Sequence, residues 1–405
     1  MPTREGSHER GIRDCGDRER EDRECGGGEL STPRLRRDTA EKAGLDPAEL
    51  HHLVSEVRAL TTGERPWTAG AVVVAGRGPV IAVAEAAGWA VRYGSYDPVT
   101  DRGVELPPEA WVPMTLDTPF DLASLTKLFT AAAAVQQIER GTLGIDARVG
   151  AYLPEFRAAA ASGITVRQLL THTSGLRPEL PLYDCPDRAA RLAMLRAEHP
   201  VTAPGTYVYS DLNPLLLQHV LERVTGRPLD ALIRDGITRP LGMTSTRFGP
   251  CPGAAATEDQ RRPWAKADRG MLRGEVHDEN AWALGGVAGH AGLFSTAGDL
   301  AVFCRTLLAG GSYGPARILG TDFVELLLTP PGLGFAVDQP WFMGELAGGG
   351  AVGHTGFTGT SLVLDPVTDT FLVLLANTVH PRRRPPDSGP RAAAASRLAR
   401  AVRGA

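Results

Sequence analysis

A serine and a lysine three residues apart could form a nucleophile and its base. Only three of the 43 basic residues are lysines, and one of these, Lys127, follows Ser124 in an apolar stretch with no other charge between Asp121 and Glu139. Residues at this spacing share one face of an α-helix, and Asp121 can cap that helix so that Ser124 lies in its first turn. Burial penalises the lysine charge, and a neutral Lys127 could accept the serine proton. The alternative is a lysine that extends from a half-buried helix into solvent.

Two later segments carry polar groups that could act with this pair. Tyr209 precedes a predicted helix, and its phenol can both donate and accept a proton. The segment around His354 and Thr355 is rich in glycine, which allows a ligand to approach the backbone closely, and both side chains can donate to a carbonyl or a carboxylate. Taken alone, each segment is more typical of a packing residue or of a glycine-rich turn.

The composition indicates a soluble globular protein with a small substrate. A net charge of -4 gives no electrostatic reason to expect nucleic acid or an anionic membrane as a partner. The five cysteines are odd in number and widely spaced, which indicates reduced thiols rather than a disulfide framework or a zinc site. No apolar run reaches the roughly 18 residues of a membrane span, and the N-terminus lacks the apolar core of a secretion signal. We therefore expect a cytoplasmic protein.

The order of predicted elements indicates the fold class. Residues 1–45 are rich in charge and glycine and are expected to form a disordered extension, and residues 46–405 are expected to fold. Strand patterns at both ends and helical patterns in the middle predict an α+β fold. An antiparallel sheet from 46–120 and 293–405, flanked by helices, would carry an all-helical insert over 121–292. The elements predicted on either side of the candidate residues are helices over 48–60, 124–140, 188–197 and 215–225 and strands over 69–75, 80–84, 361–365 and 370–376.

Three short motifs, in this order along the chain, resemble a known superfamily. They are Ser124-Leu-Thr-Lys127, Tyr209-Ser-Asp211 and His354-Thr-Gly356. Their order is similar to that of the Ser-x-x-Lys, Tyr-x-Asn and Lys/His-Thr-Gly motifs of the serine β-lactamases and penicillin-binding proteins, in the branch of class C β-lactamases, D,D-carboxypeptidases and family VIII esterases. The resemblance implies a β-lactamase/transpeptidase-like fold over most of the chain after residue 50.

The resemblance also implies a serine hydrolase that forms an acyl-enzyme and needs no cofactor. Ser124 would attack an ester or amide carbonyl while Lys127, assisted by Tyr209, accepts its proton. The backbone N–H groups of Ser124 and Phe357 would form the oxyanion hole. The implied substrate-binding residues are Asp211, His354, Thr355 and Gly356.

Two motif positions depart from the family pattern. Asp211 stands where many members have asparagine, and its charge would hold Lys127 protonated more strongly. His354 replaces the lysine of the lactamase motif, and a histidine that is neutral or partly charged holds a substrate carboxylate less firmly. We therefore expect a small ester or a D-amino-acid-type amide or peptide as substrate rather than penicillin.

Other signals are weaker. A catalytically silent binding or regulatory protein of the same fold is the alternative function, because of Asp211. The Gly-x-Ser-x-Gly pattern at 310–314 follows a predicted helix rather than a strand, so a surface loop is expected there. His172, His277 and His290 lack a second ligand at a usual metal-site spacing, so we predict structural hydrogen bonds for them and no metal site.

Overall fold

The secondary structure combines one large sheet with helices and several short strand pairs. The computed structural model of the protein describes residues 32–403. The strands are β1 Arg36–Arg37, β2 Gly70–Arg77, β3 Val80–Val91, β4 Tyr93–Asp97, β5 Arg102–Glu105, β6 Val112–Pro113, β7 Phe120–Asp121, β8 Arg247–Phe248, β9 Ala256–Gln260, β10 Gly270–Arg273, β11 Leu293–Ser295, β12 Ser312–Tyr313, β13 Ala316–Arg317, β14 Ala336–Val337, β15 Val352–Thr355, β16 Ser361–Asp365 and β17 Thr370–Ala376. The α-helices are α1 Pro47–Ala59, α2 Thr126–Glu139, α3 Val149–Tyr152, α4 Arg157–Ser162, α5 Val166–Leu170, α6 Arg188–Ala197, α7 Leu212–Thr225, α8 Leu229–Ile233, α9 Glu279–Ala283, α10 Ala297–Leu308, α11 Thr321–Leu328, α12 Pro340–Met343 and α13 Gly389–Arg403.

The large sheet is built from both ends of the chain, as the sequence predicted. Its strands lie in the order β1-β3-β2-β17-β16-β15-β14, and β6 pairs with β3. All neighbouring pairs are antiparallel except β1 with β3, which is parallel. The fold is therefore a mixed α/β arrangement in which helices pack on both faces of the sheet.

Alternating side chains of the central strands enter two separate cores. On β17, Val373 and Leu375 belong to the larger core, which also contains α2 and α10. Leu372 and Leu374 point to the opposite face, where they join the core formed with α1 and α13. Because successive strand residues point to opposite faces, an unbroken apolar strand can serve two cores at once. This explains why β17 reads in the sequence as a continuous apolar run.

The folded part begins earlier than expected. Arg36 and Arg37 form β1 and pair with β3, and a short 3-10 helix covers Glu41–Ala43. The expectation of a disordered extension is therefore wrong for residues 32–45, because an edge strand of two residues leaves no apolar pattern in an arginine-rich segment. The remainder of that extension, residues 1–31, lies outside the described residues.

The middle segment is mainly helical but also contains strands that the sequence reading did not predict. Strands β8, β9 and β10 lie within residues 121–292, where an all-helical insert was expected. The segment from Gly353, expected to be a turn, forms β15 as far as Thr355 and turns only after it. None of the helices between residues 32 and 403 combines the length and hydrophobicity needed to cross a membrane. Within the same range Cys185, Cys251 and Cys304 are free thiols.

Candidate active site

Ser124 and Lys127 face each other at the start of α2. The Lys127 ammonium donates to Ser124 Oγ at 2.7 Å, and only 2% of Lys127 is exposed. The sequence predicted Ser124 in the first turn of the α-helix. The α-helix begins only at Thr126, so Ser124 lies instead in the 3-10 turn that precedes it. Ala123 in this turn has a positive φ of 46°, and its N–H donates to Asp121 Oδ1 at 2.8 Å. Asp121 thus stabilises a strained residue directly before Ser124.

Asp211 forms an ion pair with Lys127. Its Oδ1 lies 2.8 Å from Lys127 Nζ. Burial disfavours the lysine charge, but the Asp211 carboxylate and Tyr209 outweigh this and raise the pKa of Lys127 above its ordinary value. Burial likewise opposes the charge of Asp211, and Lys127 and His290 outweigh it and lower the pKa of Asp211. The raised pKa favours a cationic Lys127 over the neutral base that the Ser-x-x-Lys spacing suggested.

Two residues that the sequence did not connect with the site lie next to Asp211. His290 Nε2 is 2.9 Å from Asp278 Oδ1, and Asp211, Asp278 and His290 each place a polar atom within 4.8 Å of the other two. The backbone carbonyl of His290 also accepts from Lys127 Nζ at 3.4 Å. Burial opposes the charge of Asp278, but His290 outweighs it and holds the pKa of Asp278 well below its ordinary value. Lys127, through its ion pair with Asp211, brings a positive charge to the edge of this acidic cluster.

Tyr209 lies over Lys127 and is held by His172. The lysine ammonium is 4.9 Å from the centre of the Tyr209 ring, and the His172 ring stacks on it at 4.8 Å. His172 Nδ1 accepts the N–H of Ser210 at 3.1 Å. Burial, and then the charge of Lys127, lower the pKa of His172 to about 3, so its ring is neutral. Structural hydrogen bonding, as predicted for His172, is confirmed.

The strand β15 places His354 and Thr355 beside the site. His354 pairs with Leu362 in register and is buried, and its Nδ1 lies 2.7 Å from the Thr355 carbonyl. Burial, and then the positive charge of Lys127, lower the pKa of His354 to about 4. This lowered pKa agrees with the expectation that His354 carries little positive charge near pH 7.

The turn after β15 is anchored to the segment that leads into Ser124. Thr358 Oγ1 donates to the Asp121 carbonyl at 2.7 Å, and Thr360 Oγ1 donates to the Leu122 carbonyl at 3.0 Å. A Cβ atom on Gly356 would lie 2.1 Å from Thr360 Oγ1 and 2.4 Å from the Leu122 carbonyl, so only glycine fits there. These contacts fix the Gly356–Phe357 peptide relative to Ser124.

Phe357 comes directly after Gly356. Its backbone N–H makes no hydrogen bond to the described residues, and its ring contacts His277 and Arg383. Its ring stacks on His277 at 5.5 Å and lies 5.6 Å from the Arg383 guanidinium. His277 Nε2 and Arg383 Nε both contact Glu258 Oε2 at 2.8 Å. Burial opposes the charge of Glu258, but the hydrogen bonds from His277 and Arg383 outweigh it and lower the pKa of Glu258 to about 2.

The site opens into a large cavity of about 1310 Å³. Its lining includes Ser124, Tyr209, His354, Thr355, Gly356 and Phe357, together with aromatic residues that the sequence did not indicate, among them Tyr207, Phe335 and Trp341. The side chain of Asp211, expected to bind substrate, pairs with Lys127 instead and does not line the cavity. Of the other predicted site residues, all but the buried Lys127 line this cavity.

Comparison with known proteins assigns the family. A family profile described as Beta-lactamase matches residues 56–396. The chain is 35% identical over 320 residues to an Escherichia coli (strain K12) protein provisionally named a D-alanyl-D-alanine carboxypeptidase, which covers 69% of this chain and 73% of that protein. The structure is similar to that of "EstCE1, a hydrolase with promiscuous acyltransferase activity", with a TM-score of 0.64 and 22% identity over 89% of this chain and 99% of that one. It is also similar to a class C β-lactamase from Rhodobacter sphaeroides, with a TM-score of 0.63 and 23% identity over 89% of this chain and 99% of that one. The chain belongs to the β-lactamase family and is a serine hydrolase.

Proposed function

We propose that the protein forms an acyl-enzyme on Ser124 and hydrolyses a small ester or a D-amino-acid-type amide or peptide. The observation that carries this proposal is the position of Ser124, which lines the cavity while its Oγ accepts a hydrogen bond from the buried Lys127 at 2.7 Å. A hydroxyl that is held by a buried cation and open to a cavity has the access and the orientation that a nucleophile needs.

The charge state of Lys127 decides the proposed roles. Because a cationic lysine cannot accept a proton, we assign it to orient Ser124 Oγ and to stabilise negative charge near it. Tyr209 is then a proton relay, whose oxygen takes the Ser124 proton while its own hydroxyl proton passes to the leaving group as the acyl-enzyme forms. Water releases the acyl group by the reverse proton path. The N–H groups of Ser124 and Phe357 would bind the oxyanion.

The substrate class follows from the charge of the cavity wall and from the relatives. A neutral His354 offers a weak hold on a substrate carboxylate, which favours esters and amides over penicillins. One relative is named for carboxypeptidase activity and one structural neighbour for a promiscuous hydrolase, so both peptides and esters belong in the test. The cavity exceeds the usual range of about 300–1,000 Å³ for small-molecule sites. Esters with longer acyl chains should therefore also be tested as substrates.

Labelling with a fluorophosphonate tests the nucleophile. We expect intact mass to show one adduct on the wild-type protein and none on Ser124→Ala, with peptide mapping to Ser124. Turnover of p-nitrophenyl esters, D-alanyl peptides and nitrocefin would then rank the substrate classes, and we expect nitrocefin to be the slowest. An adduct that persists in Ser124→Ala would contradict Ser124 as the nucleophile.

The alternative of a catalytically silent binding protein is not favoured, because the chain belongs to a family of serine hydrolases. A Lys127 held protonated by a carboxylate 2.8 Å away cannot serve as the base that the motif suggests, but the proton path through Tyr209 does not require it to. A wild-type protein that forms no fluorophosphonate adduct but still binds D-alanyl peptides or esters in calorimetry would support that alternative.

A further inference from the structure

Arg391 lies directly behind the peptide that would supply one oxyanion donor. It belongs to α13, far from Ser124 in sequence, and only 7% of it is exposed. Its Nη2 donates to the Gly356 carbonyl at 3.2 Å, and its Nη1 donates to Ser388 Oγ at 3.0 Å. Burial of a guanidinium is costly because the charge loses its hydration, so an arginine buried against one carbonyl is expected to have a specific role there.

We propose that Arg391 is a positioning residue for the oxyanion hole, which orients and polarises the Gly356–Phe357 peptide. This inference rests on the proposed function, in which the Phe357 N–H binds the oxyanion. The Gly356 carbonyl and the Phe357 N–H belong to the same peptide group. A cationic donor on the carbonyl oxygen draws electron density away from the amide nitrogen, so the N–H becomes a stronger donor to a developing negative charge.

The surroundings fix the guanidinium in this role. The Trp67 ring lies 5.7 Å from Arg391 Cζ, so one face of the guanidinium is covered. Gly356 N–H, which belongs to the preceding peptide, donates to the Thr360 carbonyl at 2.7 Å and so holds Gly356 on its other side. Burial lowers the pKa of Arg391 to about 10 against the opposing charge of Asp387, so the side chain remains a cation at neutral pH.

Direct binding of a substrate carboxylate is the competing role for Arg391, because the residue also lines the cavity. Two of its three guanidinium nitrogens already donate to Gly356 and Ser388, and Nε is enclosed without an acceptor among residues 32–403. These contacts use two of the five guanidinium N–H donors, so a carboxylate would have to share Arg391 with the Gly356 carbonyl and Ser388. The two roles differ in the substrates and in the kinetic parameter that they affect.

The test compares Arg391→Ala and Arg391→Lys with Arg397→Ala, a control on the same helix whose side chain pairs with Glu49 and Glu56. Removal of an oxyanion donor lowers kcat by about 100- to 1,000-fold, so loss of its polarising partner should cost less, about 10- to 30-fold. We expect this fall in Arg391→Ala on both a neutral p-nitrophenyl ester and a D-alanyl peptide with a free carboxylate, with KM nearly unchanged. Arg391→Lys should lose less, and Arg397→Ala should keep its kcat.

Added guanidinium chloride separates positioning from a structural role. At tens of millimolar it should restore part of kcat in Arg391→Ala, whereas equal concentrations of sodium chloride should not, and the Arg397 control should not respond. An unchanged kcat, or a loss confined to KM for the carboxylate substrate, would overturn the inference. If Arg391→Ala does not fold, Arg391→Lys with wild-type kcat on both substrates would overturn it too. Absence of a fluorophosphonate adduct on wild-type Ser124 would instead contradict the proposed function itself.

Discussion

On one side of Ser124 a buried lysine meets two partly buried carboxylates, and on the other side an uncharged turn is fixed by its neighbours. Lys127, Asp211 and Asp278 form the charged side, where Lys127 and His290 lower the pKa of Asp211 and His290 lowers that of Asp278. The turn from Gly356 to Thr360 is held by hydrogen bonds to the Asp121 and Leu122 carbonyls and by the His277 ring, which stacks on Phe357. Its charged supports, Glu258, Arg383 and Arg391, lie one layer behind it.

Because of this difference, we expect substitutions on the two sides of Ser124 to change different properties of the enzyme. Changes on the charged side should alter how activity depends on pH, since they change the protonation of Lys127. Changes behind the turn should alter stability and geometry and leave the pH profile in place, because the groups there stay in one charge state over the neutral range. The predictions below test this division, from the largest expected effect on activity to the smallest.

Lys127→Arg tests whether position or charge alone matters on the charged side. The guanidinium keeps a positive charge but is planar and larger than an ammonium, and the site leaves only 2% of Lys127 exposed. It cannot contact Ser124 Oγ and Asp211 with the same geometry. We expect kcat/KM to fall by about 100- to 10,000-fold.

Lys266→Arg is the matched control, since Lys266 forms an ion pair with Glu179 at a partly exposed position. Exposed ion pairs contribute little, so this variant should keep its activity within about twofold. Thermal melting of both variants would show whether folding is intact. Near-normal activity in Lys127→Arg would mean that a positive charge at this position suffices. The expectation that the exact placement of the ammonium matters would then be wrong.

Asp211→Asn tests the pH sensitivity of the same side. With its carboxylate in place, the pKa of Lys127 is raised, so the wild-type enzyme keeps the lysine charged throughout the neutral range. Without that carboxylate, burial dominates and lowers the pKa of Lys127. If the cation is the active form, kcat/KM of Asp211→Asn should fall as pH rises from about 7 to 9, while the wild type shows no such fall.

The opposite slope would reverse the assignment of the base. If kcat/KM of Asp211→Asn rises over this range and exceeds that of the wild type, a neutral Lys127 accepts the serine proton, as the sequence alone suggested. Asp184→Asn provides the control, because Asp184 pairs with Arg262 on the exposed surface. Its profile should follow that of the wild type.

Local spacing predicted the parts of the site that depend on neighbouring residues. The contact between Ser124 and Lys127 follows from a separation of three residues on helical backbone, and the strand bounds of β16 and β17 follow from apolar runs bounded by turn residues. The placement of Tyr209 and His354 beside that pair came only from the resemblance of their motifs to a family. The structure brings them to the same cavity.

Long-range pairs could not be predicted in this way. Asp278 and His290 approach Asp211 across more than 60 residues, and Glu258 meets Arg383 across 125. Neither pair leaves a periodic signal, because each residue is positioned by its own strand, helix or loop. The protonation of Lys127 depends on such a contact, which is why the residue types alone indicated a neutral lysine. Asp211, in the second motif, was the one residue in the sequence that indicated a protonated Lys127.

Glu258→Gln tests the support behind the turn, where the smallest effect on activity is expected. The pKa of Glu258 is lowered from 4.5 to about 2 in the folded protein, so its charge contributes about 3 kcal/mol to the free energy of unfolding above pH 4.5, and this is lost as pH falls toward 2. Urea unfolding should therefore show a large loss of stability in Glu258→Gln at pH 7 and a smaller one near about pH 3.5. Glu64→Gln, which breaks an exposed pair with Arg102, should change stability little at either pH.

We expect kcat of Glu258→Gln to fall less than about tenfold with an unchanged pH profile, because Thr358 and Thr360 still hold the turn. A shifted profile would mean that charge behind the turn reaches Lys127, and the two sides of the site would not be separable.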